Sequence, residues 1–178
     1  MKEQSVACSA IVDQDPQRGF EFARNMDWPS FGLSGAYSLV INRKHTNGLR
    51  NTVEVAVPGF IGTLTGMNDQ CLALAMNVCS GTTREMRGMP ASLYNRACLE
   101  QSRTVGDVEG FVRKQAPLGP YHLTVADRNR AESIHFYQSP GETHVIRPWK
   151  KISLFLPSTA AIVLNLIAPC IIVMNVNS

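Results

Sequence analysis

Dense charge of one sign is missing from this chain. Charged side chains are 17% of its 178 residues, the net charge is +3, and no basic run exceeds Lys150-Lys151. A nucleic-acid surface needs a clustered basic stripe, so no nucleic-acid partner is expected. Lys2, His45 and the scattered arginines read as solvated surface. Paired cysteines are also missing. The five cysteines (Cys8, Cys71, Cys79, Cys98 and Cys170) are odd in number and never spaced C-x-x-C. That argues against a disulfide framework and against a zinc site, and it points to a reducing compartment, the cytoplasm. His45, His122, His135 and His144 share no metal-ligand spacing, and Gly62 and Gly66 are too sparse for a phosphate loop. Neither metal nor cofactor is therefore expected. Met1 to Ala7 has no apolar core and is not a secretory signal. Ser5-Val6-Ala7-Cys8 imitates the segment cleaved before a lipid-modified cysteine, but the hydrophobic stretch that should precede it is absent.

Charge is missing altogether from Ile152 to Ser178. The length suits a membrane span of about 20 apolar residues, although Pro157, Asn165 and Pro169 interrupt it. Buried strands of a second sheet, a disordered tail and a truncated or frame-disrupted end are the other readings, and the last is preferred. The remaining composition, 44% hydrophobic, fits one globular domain with a sizeable core. The expected division is a globular domain through residue 150 and an apolar tail over 151–178.

Along the domain, strands are expected at Tyr37 to Asn42, Thr52 to Val57, Phe60 to Met67 and Leu72 to Val78. Cys71 falls in the turn at Asn68-Asp69-Gln70, where a glycine would tolerate positive φ better. Pro90 opens a helix through about Gln101. A second helix follows from Gly106 to Gln115, with Thr104 as N-cap and Asp107 three residues on. Pro117 to Pro120 ends it. A strand meander follows at His122 to Ala126, Ser133 to Tyr137 and His144 to Arg147. This order predicts an α+β domain with helices covering an antiparallel sheet.

Cys8 to Trp28, CSAIVDQDPQRGFEFARNMDW, reads as a hairpin around the turn cluster Asp13 to Gly19. Centring the turn on Pro16 pairs position 8 with position 24. Directly opposed residues share a face, so Arg24 is placed beside the Cys8 sulfur, with Asp27 just past the strand end. A neighbouring guanidinium favours a thiolate, the nucleophilic form of cysteine.

A cysteine followed by Gly19-x-x-x-x-Arg24-Asn25-x-Asp27-Trp28 resembles the N-terminal-nucleophile amide hydrolases. Their superfamily includes choloylglycine hydrolase, penicillin acylases, acid ceramidase and the isopenicillin N acyltransferase type. Two further blocks carry the same resemblance, Pro58-Gly59-Phe60-Ile61-Gly62 through Gly66-Met67-Asn68-Asp69-Gln70 to Ala75-Met76-Asn77, and Pro120 to Asp127. It covers about Cys8 to Pro148. It implies a four-layer αββα sandwich, here partial with a shortened second half. It also implies that the peptide bond before Cys8 is cut autocatalytically, removing residues 1–7.

The activity implied is cleavage of a linear carbon–nitrogen amide bond in a small molecule through an acyl-thioester on Cys8, with water or an amine as acceptor. The freed α-amine, with an ordinary pKa of about 7.7–8.0, would act as base. Arg24 would hold the thiolate or bound carbonyl, and Asp27 the α-ammonium or a polar substrate group. Asn77 is the candidate oxyanion donor, and Trp28 an apolar wall for the acyl group. The plainer readings are a structural Arg24–Asp27 ion pair, an Asn77 amide satisfying backbone at a strand end, and Trp28 as core. The resemblance also implies a late asparagine and a late arginine, yet Asn165 stands in no matching motif and no arginine follows Arg147. A catalytically incompetent module, dimerising through the apolar tail, is thus the alternative. A tail-anchored membrane protein is the third and weaker reading.

Overall fold

The computed structural model describes residues 7–15, 19–27, 36–79, 88–115, 117–136, 143–146, 152–155 and 171–175. The hairpin is longer than its turn signals imply. Strands β1 (Ala7–Asp15) and β2 (Gly19–Asp27) pair antiparallel out to Asp15 opposite Gly19. That extension moves the register by two residues from the expected one: Cys8 faces Met26, and Arg24 faces Ala10. A two-residue shift preserves the face, because side chains alternate with period two. Arg24 is therefore the diagonal neighbour of Cys8 on one side of the sheet, rather than its direct partner.

Seven further strands form one antiparallel sheet. In chain order they are β3 (Leu39–Arg43), β4 (Thr52–Ala56), β5 (Thr65–Asn68), β6 (Ala73–Val78), β9 (Tyr121–Ala126), β10 (Ala131–Phe136) and β11 (Thr143–Ile146). Their spatial order is β11-β10-β9-β6-β5-β4-β3. Two-residue strands β7 (Met89–Pro90) and β8 (Pro117–Leu118) pair in parallel. They bracket helices α1 (Ala91–Gln101) and α2 (Val105–Lys114). Within 151–178, β12 (Ile152–Phe155) pairs with β1 and β13 (Ile171–Asn175) with β2, giving a four-stranded sheet in the order β12-β1-β2-β13.

Alternation along the strands separates two cores. On β6 and β9, Leu74, Tyr121, Leu123 and Val125 pack under the helices with Tyr94, Leu99, Val105 and Val108. The opposite face carries Ala73, Ala75 and Ala126, which with Ala131 meet Ala10, Val12 and Phe22 of the hairpin. Small side chains here let two sheets stack closely. The described residues thus form three layers: helices, the seven-stranded sheet and the four-stranded sheet. This is the partial αββα arrangement.

Residues 60–64 depart from the expected strand. Gly62 passes so close to the start of α1 that a Cβ there would lie 2.4 Å from the Ser92 Cβ. The Thr63 amide donates to the Ser92 carbonyl at 2.9 Å instead of entering the sheet, and β5 begins only at Thr65. Cys71 has φ +61°, the left-handed conformation that costs a side-chain-bearing residue about 1–2 kcal/mol. Its buried side chain and a hydrogen bond from Arg128 Nη2 to its sulfur (3.1 Å) hold it there.

Helix α2 starts one residue earlier than its sequence pattern implies, on a complete capping box. Thr104 Oγ1 accepts from the Asp107 amide at 3.2 Å, and Asp107 Oδ2 accepts from the amides of Thr104 (3.0 Å) and Arg103 (2.9 Å). The Arg103 amide foremost, with the Thr104 amide and hydroxyl, holds the Asp107 carboxyl below its ordinary pKa against the opposing effect of burial. A depressed carboxylate stabilises the fold above its unfolded pKa of about 3.9 and loses that contribution as the pH falls further. Thr104→Ala is expected to cost about 1 kcal/mol, lowering the thermal midpoint by roughly 2–4 °C. Calorimetry at neutral pH would check it, and an unchanged midpoint would refute the cap's contribution.

Candidate active site

The alternation that buries Phe22 on β2 also turns Arg24 inward, into the gap between the sheets. Cys8 and Arg24 are both buried, with 7% and 3% of their surface exposed. One face of the guanidinium gap is β1, which presents Cys8; the other is β5 and β6. Arg24 Nη2 donates to the Cys8 sulfur at 3.6 Å and to the Met76 carbonyl at 2.5 Å, and Nη1 donates to Thr65 Oγ1 at 2.5 Å. Among the described residues Arg24 Nε has no partner. Burial lowers the arginine from its ordinary value, while the adjacent Cys8 sulfur works in the opposite direction. A guanidinium is basic enough to stay cationic at neutral pH all the same.

Asn77 follows Met76 directly. It shares the inward face of β6 with Ala73 and Ala75, is buried, and its Oδ1 has no partner among the described residues. In register it lies opposite His122 of β9, a second buried polar residue. One pleat away, Thr124 is opposite Ala75, and its buried hydroxyl also lacks a partner among the described residues. The inter-sheet space is therefore apolar around Phe22 and Val12, and polar around Cys8, Arg24 and Asn77. Unpaired buried polar atoms are costly, and Arg24 Nε, Asn77 Oδ1 and Thr124 Oγ1 are three of them at this polar end.

Asp27 ends β2 opposite Ala7. Its side chain and all of Trp28 lie outside the described residues, as does most of the glycine-bearing loop expected at 80–89. Asp127 of the third resemblance block is structural: its carboxylate accepts from the amides of Val105 (2.7 Å), Asn129 (2.7 Å) and Arg130 (3.0 Å). Cys98, on the buried face of α1, is pushed up to about 12 by burial, against the lowering effect of its contact with Ser102. Among the described residues no cluster of His, Cys, Asp or Glu is arranged to hold a metal ion, and no helix is long and apolar enough to cross a membrane.

Thr65 and the Met76 carbonyl were not foreseen from sequence. A threonine in a strand carries no signal of its own, and its tie to Arg24 spans 41 positions. Only the stacking of the two sheets brings them together.

The architecture is that of the N-terminal-nucleophile hydrolases, seen in part. The chain belongs to the acyl-coenzyme A:6-aminopenicillanic acid acyl-transferase family, which it matches over residues 15–153. That range contains Arg24 and Asp27 and begins after Cys8. No curated protein matches the chain in sequence. Among solved structures it is similar to an N-acylethanolamine-hydrolyzing acid amidase ortholog of Caenorhabditis elegans, with 19% identity and a TM-score of 0.66 over 79% of this chain and 64% of that one. It is also similar to the penicillin V acylase of Agrobacterium tumefaciens, with 14% identity and a TM-score of 0.60 over 85% and 53%. A conjugated bile acid hydrolase variant from Clostridium perfringens gives 16% identity and a TM-score of 0.58 over 86% and 54%. The chain thus spans between about half and two thirds of the length of these structures.

Proposed function

We propose that this chain carries the nucleophile half of a cysteine N-terminal-nucleophile amidohydrolase or acyltransferase. The observation that carries the reading is the buried Arg24 guanidinium 3.6 Å from the Cys8 sulfur. The family's acyl-transferase description and the names of the neighbours, an amidase, an acylase and a hydrolase, support acyl transfer from a small-molecule amide.

In the first step the Cys8 sulfur attacks the Ala7 carbonyl. The peptide bond breaks, the new α-amine on residue 8 takes a proton, and water releases residues 1–7. In each later turnover that amine accepts the thiol proton while sulfur attacks the substrate carbonyl. A tetrahedral oxyanion forms, held by Arg24 and the Asn77 amide. Collapse expels the substrate amine, which leaves with the transferred proton. Water or another amine then takes the acyl group from the thioester. Asp27 fixes the α-ammonium and Trp28 walls the acyl group. The odd cysteine count and the lack of any C-x-x-C spacing favour a reducing compartment, the cytoplasm.

Intact-mass analysis of the purified chain tests this directly. The expected result is loss of Met1 to Ala7, followed by a mass gain on residue 8 equal to the acyl group when an N-acyl amide is added and quenched with acid. A chain that keeps residues 1–7 and still hydrolyses amides would overturn the reading.

A further inference from the structure

Arg24 enters the site from β2, but it is the other sheet that decides where its nitrogens point. Thr65 opens β5 and is completely buried. Its backbone is already committed to the ladder, opposite Val55 and Ala75. Its hydroxyl is spent on Arg24 Nη1. Ala75, the next residue in that row, contributes only a methyl group, leaving room over β6 for Nη2 to reach the Met76 carbonyl.

Two acceptors on adjacent strands therefore grip the two ends of one planar fork, and a guanidinium held at both nitrogens has a fixed plane. The same Nη2 faces the Cys8 sulfur, and Met76 O belongs to the peptide unit that leads into Asn77. We infer that Thr65 is the positioning residue of this site: its hydroxyl sets the plane of Arg24, so that one nitrogen serves the nucleophile and simultaneously fixes the strand carrying Asn77. The inference rests on the reading of Cys8 as nucleophile, but it can be tested without a substrate.

A bland alternative is that Thr65 merely satisfies a buried strand position. The two are separated by whether its effect passes through Arg24. The readout is the rate of Cys8 alkylation by iodoacetamide in the full chain at a fixed neutral pH, followed by peptide mass. Thr65→Val keeps the shape and removes the acceptor. It is expected to slow alkylation about threefold to tenfold, within the roughly 10²-fold that a 1 Å misplacement of a reacting group can cost. Thr65→Ser is expected to restore the rate to within about twofold, since it returns the hydroxyl oxygen that accepts from Nη1. In an Arg24→Leu background, Thr65→Val is expected to have no further effect, because coupled residues are not additive.

If Thr65→Val fails to fold, Thr65→Ala takes its place in the same cycle. A wild-type rate in the hydroxyl-free variant, or an equal slowing with and without Arg24, would overturn the inference. Absence of amide turnover in the unaltered chain, with the alkylation pattern intact, would count against the proposed function and leave Thr65 as the holder of Arg24.

Discussion

Cys8→Ala is expected to keep Met1 to Ala7 attached and to lose amide turnover by a factor on the order of 10⁶, the scale on which removal of a covalent nucleophile is felt. The substitution is conservative for the fold. Cys8 is a small buried side chain whose sulfur is held by Arg24 Nη2, and that guanidinium retains Thr65 Oγ1 and the Met76 carbonyl as acceptors. Arg24→Leu makes the complementary case. Loss of the cation beside the reacting sulfur is expected to cost about 10²–10³ in turnover, the magnitude of one oxyanion donor. It also strips donors from two buried acceptors, at about 1–3 kcal/mol each, so a lower unfolding midpoint accompanies it. Arg24→Lys keeps the charge, but a single ammonium cannot span Thr65, Met76 and Cys8 as a planar fork does. Its activity should fall between that of the unaltered chain and that of Arg24→Leu. Intact mass and kcat/KM across this series decide the matter, and an alanine variant that still sheds seven residues would remove the nucleophile from Cys8.

What could be read in the sequence divides by range. The Thr104–Asp107 capping box was legible because it is settled within four residues, and the awkward Cys71 turn because the resembling family usually has a glycine there. The shared face of Cys8 and Arg24 was legible because period-two alternation survives an error in register. The register itself was not, since Gln14 and Asp15 look like turn residues yet pair with Phe20 and Gly19. Residues 60–64 looked like strand on side-chain character alone. What diverts them is the close approach of Gly62 to Ser92, a contact between distant segments. Pairing of β12 and β13 with the hairpin was equally hidden, because their segments show no alternation to set an edge. The grip on Arg24 depends on sheet stacking, the longest-range relation of all, and only the structure supplies it.

Asn68 is where stability is expected to be most exposed to a single change. The site is framed by β5 and β6, and the turn between them is held to the end of α1 by this one buried side chain. Asn68 Nδ2 donates to the carbonyls of Leu99 (2.8 Å) and Ser102 (2.7 Å), two groups that the end of a helix leaves without helical partners. Its Oδ1 accepts from the amides of Gln70 (3.0 Å) and Leu72 (3.1 Å), across the turn that carries the left-handed Cys71. Asn68→Ala removes all four bonds at once. The Leu72 carbonyl keeps the Asn68 amide as donor at 2.9 Å, but the Leu72 amide loses its acceptor and the helix-end carbonyls lose their donor. Unsatisfied buried groups cost about 1–3 kcal/mol each, so a total of roughly 3–5 kcal/mol is expected. Asn68→Asp separates the two halves of the effect. It keeps the acceptor for the turn and places a buried negative charge against two carbonyl oxygens, so it should be no more stable than the alanine variant at neutral pH and should recover as the carboxyl is protonated at low pH. Denaturant unfolding at two pH values measures both. An alanine variant within about 1 kcal/mol of the parent would mean that the turn and the helix end are held by the surrounding core rather than by Asn68.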